Sequence, residues 1–150
     1  MPEKRTMKRA RRDKRQGKAA STQAGEYVRE EMEHIRHGKH GARSTKQAIA
    51  IGLSKARRAG VRLKPPRRGA ASARTRKSAS QAYRAGRHPG HKPSGTRSRA
   101  IRRALKREGH RAASRRSLAS QARTTARRRG HRAMSKQARK AARTRARRSA

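Results

Sequence analysis

The sequence predicts a mostly α-helical chain with extensive disorder: one small αα-hairpin flanked by a basic arm and a long Arg/Ala-rich tail of latent helices. Three observations lead there. The 150 residues carry 48 Lys and Arg against 7 Asp and Glu, a formal net charge of +41, and a chain so polar and one-signed belongs by composition to the disordered class. Only ten residues are Leu, Ile, Val or Phe, while Ala alone numbers 28. Seven of those ten aliphatics and four of the seven acids fall between residues 21 and 64, the stretch that also carries helix punctuation.

The length suits one domain, but the core residues are scarce. Apolar burial stabilises by roughly 25 cal/mol per Å², whereas ordering a residue costs on the order of 1–2 kcal/mol in backbone entropy. Ala buries little area, so the balance is expected to fail over most of the chain. Repulsion among like charges opposes compaction further unless an anion neutralises them.

Residues 1–20 hold nine Lys/Arg and two acids and read as a disordered basic arm. Residues 21–64 read as the helical hairpin. Ser21 or Thr22 is a suitable N-cap, and Glu26, Glu30, Glu31 and Glu33 sit toward the N-terminal half of the helix that follows, where the dipole favours them. Val28, Met32 and Ile35 recur at i, i+4 and i+7, one helix face, and Gly38 is placed to end the helix in the left-handed conformation. Ser44-Thr45-Lys46-Gln47 reads as a capping box opening a second helix. Gly60 closes that helix, Val61 supplies the apolar residue such an ending favours, and Pro65-Pro66 prevents continuation. A unit this small is expected to be marginal alone.

Residues 65–150 hold 29 Lys/Arg and one acid and read as a basic low-complexity tail. Gly86, Gly109 and Gly130 recur at intervals of 23 and 21 residues, each after a basic stretch, which suggests weak helical repeats of that length. Ala and Arg favour helix, yet no apolar face is present to stack. Helix is therefore expected to form when charge is neutralised. Lys64-Pro65-Pro66-Arg67-Arg68-Gly69 and Gly86-Arg87-His88-Pro89-Gly90 read as plain linkers.

Function classes narrow quickly. With no Cys, disulfide scaffolds, thiolate metal sites and Cys nucleophiles are excluded. The longest apolar stretch, Ala48 to Leu53, is far short of the roughly 20 residues a membrane span requires, so a cytoplasmic protein without membrane partners is expected. No catalytic constellation or phosphate-binding loop is present, and no enzyme, cofactor or metal site is expected. His34, His37 and His40 recur every three residues; His34 and His37 share a helix face, with Glu30 or Glu33 nearby, but a solvated basic helix end is the preferred reading.

The charge implies a polyanion. Duplex DNA carries one charge per ~1.7 Å of axis, and Arg outnumbers Lys 35 to 13, which suits bidentate phosphate contacts. The residues expected to bind nucleic acid are Arg57, Arg58, Arg67, Arg68, Arg102, Arg103, Arg107, Arg115, Arg116, Arg127, Arg128, Arg129, Arg143, Arg145, Arg147 and Arg148. Only Tyr27 and Tyr83 are aromatic, so a base-stacking platform for single strands is lacking. Duplex DNA is favoured over RNA: a sequence-tolerant, histone-like protein of the nucleoid that neutralises and compacts DNA through phosphate contacts. An RNA- or ribosome-associated protein, or an adaptor with a nucleic-acid-localising tail, are the alternatives. The hairpin is a candidate for self-association.

The run from Glu26 to Gly41, followed by Arg43-Ser44-Thr45-Lys46-Gln47-Ala48-Ile49-Ala50-Ile51-Gly52-Leu53-Ser54 and on to Gly60, resembles a family of short basic bacterial proteins. That family carries a domain of unknown function, and its members are often labelled DNA-binding or plasmid-stabilisation proteins. The resemblance implies a bacterial, cytoplasmic origin and supplies no site residues. The tail is similar in composition to the basic arms of linker-histone-like bacterial nucleoid proteins, though richer in Arg than in Lys.

Overall fold

A computed structural model of the chain describes residues 2–88 and 94–149, with backbone alone at 132, 148 and 149. It is all-helical, with seven helical elements and 75% helix. The elements are α1 (Lys4–Arg15), α2 (Ala20–Arg36), α3 (Thr45–Arg58), α4 (Ala73–Arg87), α5 (Gly95–Lys106), a 3-10 turn (Arg111–Ala113) and α6 (Arg115–Ser149). They divide into two compact units, Met1–Ser114 and Arg115–Ala150.

This corrects the expected class. The chain is not extensively disordered, and its folded part is not a single hairpin between an unfolded arm and an unfolded tail. In the first unit α2 packs on α1 and on α3, α3 packs on α4, and the 3-10 turn packs on both α2 and α3. Residues 4–15 of the expected arm form α1, which buries Thr6, Ala10 and Asp13.

The physical reason lies in the small residues. Nine of the thirteen buried apolar residues are Ala. Each buries little area, but it lets neighbouring backbones come close, and dispersion summed over many near contacts replaces bulky side chains. Glycine takes the tightest crossings. A Cβ added at Gly52 of α3 would lie 2.7 Å from the Val28 Cα of α2. One added at Gly86 of α4 would lie 1.9 Å from the Arg57 carbonyl oxygen, and one at Gly41 would lie 1.8 Å from the Glu108 carbonyl oxygen. Ala10, Ala24, Tyr27, Ala56 and Val61 form one cluster, edged by Met7, Ala20, Leu53 and Leu63, while Met32 and Ile35 are buried outside it.

Local signals hold where they were strongest. At the end of α2, Gly38 has φ +69°, its N–H donates to the Ile35 carbonyl (3.1 Å), and the Lys39 N–H donates to the His34 carbonyl (3.0 Å). Gly60 ends α3 in the same way at φ +87°, with the Val61 N–H donating to the Ala56 carbonyl at 3.1 Å and Val61 itself buried. These are Schellman endings. Ser44 Oγ accepts from the Gln47 N–H at 3.2 Å, but the Gln47 side chain reaches back to the Arg43 N–H rather than to that of Ser44. The start of α2 departs from expectation: Ala19, not Ser21 or Thr22, is the N-cap and offers no side-chain bond.

The segment after α5 is held to the first two hairpin helices. The Gly41 N–H donates to the Leu105 carbonyl (2.8 Å) and the Ala42 N–H to that of Gly109 (3.0 Å). Arg36 Nε donates to the Ala113 carbonyl and Thr45 Oγ1 to that of Ala112. The three recurring glycines occupy different environments: Gly86 lies inside α4 against α3, Gly109 in a connection, and Gly130 breaks α6 at φ 72°, ψ 162°. In the second unit α6 is helical on both sides of Gly130 and buries none of its described side chains. Its many Ala, Arg, Lys and Gln are strong helix formers, and Thr124, Thr125 and Thr144 turn their hydroxyls onto carbonyls four residues back.

Two Gly→Ala substitutions separate close packing from helix propensity. Gly25 of α2 has open space where a Cβ would go, so Gly25→Ala is expected to stabilise by about 0.5–1 kcal/mol. Gly52→Ala is expected to destabilise by about 1–3 kcal/mol through overpacking against Val28, despite the same gain in propensity. Urea melts followed by circular dichroism measure both.

Candidate nucleic-acid interface

Most of the few acids lie buried or half-buried, with Glu3 and Glu33 exposed. Glu31 is fully buried, and Lys55 Nζ of α3 lies 2.5 Å from its Oε2 and 3.9 Å from Oε1 of the equally buried Glu30. His40 Nε2 lies 3.0 Å from Glu31 Oε1. Asp13 is buried with Lys18, and Glu26 pairs with Arg9 at 3.7 Å. Glu3 meets His34 Nε2 at 2.8 Å and Lys39 Nζ at 2.9 Å. The hydrogen bond from His34, then that from Lys39, lowers its carboxyl pKa to about 2. Five of the seven acids are thus occupied with cations of the first unit, and the outward charge is almost wholly positive.

The expected binding residues fall into three groups. Arg57 is buried, 6% exposed, and its Nε donates to the Leu63 carbonyl at 3.0 Å. Burial lowers its guanidinium pKa. It ties the end of α3 to the chain that follows and does not present its charge to solvent. Arg58, Arg67, Arg68, Arg102, Arg103 and Arg107 are exposed on the first unit, at the end of α3, in the connection after it, on α5 and at the α5 C-cap. Arg115, Arg116, Arg127, Arg128, Arg129, Arg143, Arg145 and Arg147 are exposed along α6. The Arg148 side chain lies outside the described residues, as does the Pro89-Gly90 end of the second Pro-containing stretch.

The α6 cations lie along two helical segments separated by the break at Gly130. His131, Ser135, Lys136, Arg139, Lys140 and Arg143 line one open groove beyond the Gly130 break. Lys136, Arg139 and Lys140 complete a basic strip there that the sequence reading left out, though their i+3 and i+4 spacing carries the signal. The two aromatic rings do not form a stacking platform. Tyr27 is buried, and its phenol pKa is raised by burial and then by the Glu30 charge. Tyr83 is half-buried beneath Arg87, whose guanidinium carbon lies 5.9 Å from the ring centre. No helix among the described residues is long and apolar enough to cross a membrane.

Two consequences are measurable by urea denaturation. Arg57→Ala is expected to cost about 1–3 kcal/mol, because the Leu63 carbonyl loses its donor, whereas Arg58→Ala stays within about 0.5 kcal/mol of the parent. Lys55→Met leaves the buried Glu31 without its ammonium and is expected to cost about 3 kcal/mol. Adding Glu31→Gln to Lys55→Met recovers part of that loss, since the two positions are coupled. No family model, curated protein or solved structure matches the chain, so the resemblance of residues 26–60 rests on those residues alone.

Proposed function

We propose that the protein binds duplex DNA through phosphate contacts, with little sequence preference, as a histone-like component of the nucleoid. The observation that carries this reading is the charge spacing of α6. Before Gly130 the helix runs over residues 115–129 with six Lys/Arg, and after it over 131–149 with eight, with no acid in either. At 1.5 Å per residue these segments are about 22 and 28 Å long. One DNA strand places a phosphate every ~3.4 Å of axis, or about 6–7 and 8 phosphates over those lengths. The cations of each segment therefore match the charges of one strand nearly one for one.

Sequence reading has few tools here. The chain has no Asn. The Gln residues of α6 are engaged within the helix: Gln121 donates to Thr125 Oγ1, and Gln137 accepts from Arg129. Asn and Gln are the side chains that read adenine in the major groove, so adenine readout from α6 is not favoured, while its Arg side chains serve phosphate contact.

The test is fluorescence anisotropy on mixed-sequence duplexes across a salt series. Binding is expected to weaken steeply and linearly in log salt. The triple variant Arg127→Gln/Arg128→Gln/Arg129→Gln is expected to shrink the slope by about 2–3, at ~0.9 per phosphate contact, and equally for unrelated sequences. A binding constant flat in salt, or a slope unchanged in the triple variant, overturns the reading. Tighter binding to a structured RNA in competition at fixed salt reassigns the polyanion.

A further inference from the structure

We propose that Glu31, His34 and His40 form a site for a divalent transition cation of the Zn2+ type. One ligand atom from each lies within 4.8 Å of the others. Zn–N and Zn–O bonds of about 2.0–2.2 Å at a tetrahedral angle set donor atoms roughly 3.4 Å apart, so the set closes on a metal with small side-chain shifts. Water would complete the shell; Glu3, whose Oε1 meets His34 Nε2 at 2.8 Å and Lys39 Nζ at 2.9 Å, flanks the cluster without belonging to it.

The backbone prepares the ligands. Glu31 and His34 are three residues apart on α2, which sets them on one face. The Gly38 ending then turns the chain back, so His40, not His37, joins them. Gly41 is held by the Leu105 carbonyl and by close contact with the Glu108 backbone, which fixes the approach of His40. The His40 Nδ1 lies 3.0 Å from the Gly41 carbonyl oxygen. A carbonyl only accepts, so Nδ1 carries the proton, and in the neutral ring Nε2 keeps its lone pair toward Glu31. Such a bond from the far ring nitrogen is the usual way a metal-binding imidazole is oriented.

A lone pair and a carboxylate oxygen facing each other at 3.0 Å need a cation, either a proton or a metal. Glu31 supports the second use: it is fully buried, and the Lys55 ammonium pairs with Oε2 but not with Oε1. Lys55 faces Oε2, while Oε1 is turned toward His40. Charge is favourable in this one region. Glu3, Glu30 and Glu31 converge on it against Lys39 and Lys55, which leaves a net negative charge when the imidazoles are neutral. Imidazole and carboxylate donors suit Zn2+ and its neighbours better than Mg2+ or Ca2+. A bound ion would tie the body of α2 to the turn after it, a structural staple for a unit poor in large apolar residues.

Calorimetric titration of the nuclease-treated full chain with ZnCl2, in phosphate-free buffer near neutral pH, tests the site. One saturable equivalent is expected. His34→Ala and His40→Ala should each weaken it about 10–100-fold, with helicity by circular dichroism unchanged. His37→Ala, on an exposed residue outside the cluster, should leave it intact. Co2+ in place of Zn2+ should give the intense visible bands of a four-coordinate ion in the parent and lose them in His40→Ala. Absence of a saturable site, a site that survives His34→Ala and His40→Ala, or equal weakening by His37→Ala overturns the proposal.

Discussion

The first unit depends on the crossing of α2 and α3, where Gly52 admits the Val28 backbone and the buried Glu31 carboxylate meets Lys55. Neither feature works alone. A carboxylate withdrawn from water is costly unless a cation sits beside it, and Lys55 reaches Glu31 because no side chain at position 52 holds the helices apart. With the crossing set, the other pieces have places to attach. The N-terminal segment brings the Glu3 N–H to Glu30 Oε2 at 3.2 Å. The 3-10 turn offers its Ala112 and Ala113 carbonyls to Thr45 and Arg36, and α4 lays Gly86 over the end of α3.

Local signals were legible in the sequence and long-range ones were not. Gly38, Ser44, Gly60 and Val61 act on neighbours within a few residues, so their roles can be read from spacing. The folding of α1 cannot, because Ala10 is an unremarkable residue until Ala24, Tyr27 and Ala56 surround it. The same holds for Gly41 and Gly86, whose partners are distant carbonyls. A search for hydrophobic periodicity weights large side chains and passes over a core of Ala and Gly. The expectation of disorder followed from that weighting.

The site residues show the same divide. Arg57 and Arg58 are adjacent and alike in composition, and only the return of Val61 to Leu63 across the end of α3 decides that Arg57 is buried. By spacing His37 shares a helix face with His34, yet the turn at Gly38 brings His40 to it instead. On α6 no described side chain is buried, so the exposure of its described cations depends on no distant partner.

The two units therefore use one residue palette in opposite ways. In the first, acids are matched to cations and Arg57 gives up hydration to hold the chain. The sequence of the second holds fourteen Lys/Arg and no Asp or Glu, and repulsion among like charges is a standing cost of the helical state. In the proposed binding, a polyanion laid along α6 would remove that cost and release its own condensed counterions, so both partners would gain from the same neutralisation. On that reading charge density, rather than any one side chain, would be the source of affinity. The break at Gly130 divides the basic helix into two lengths, each of which would take its own phosphate register, so that a mismatch over one would not carry into the other.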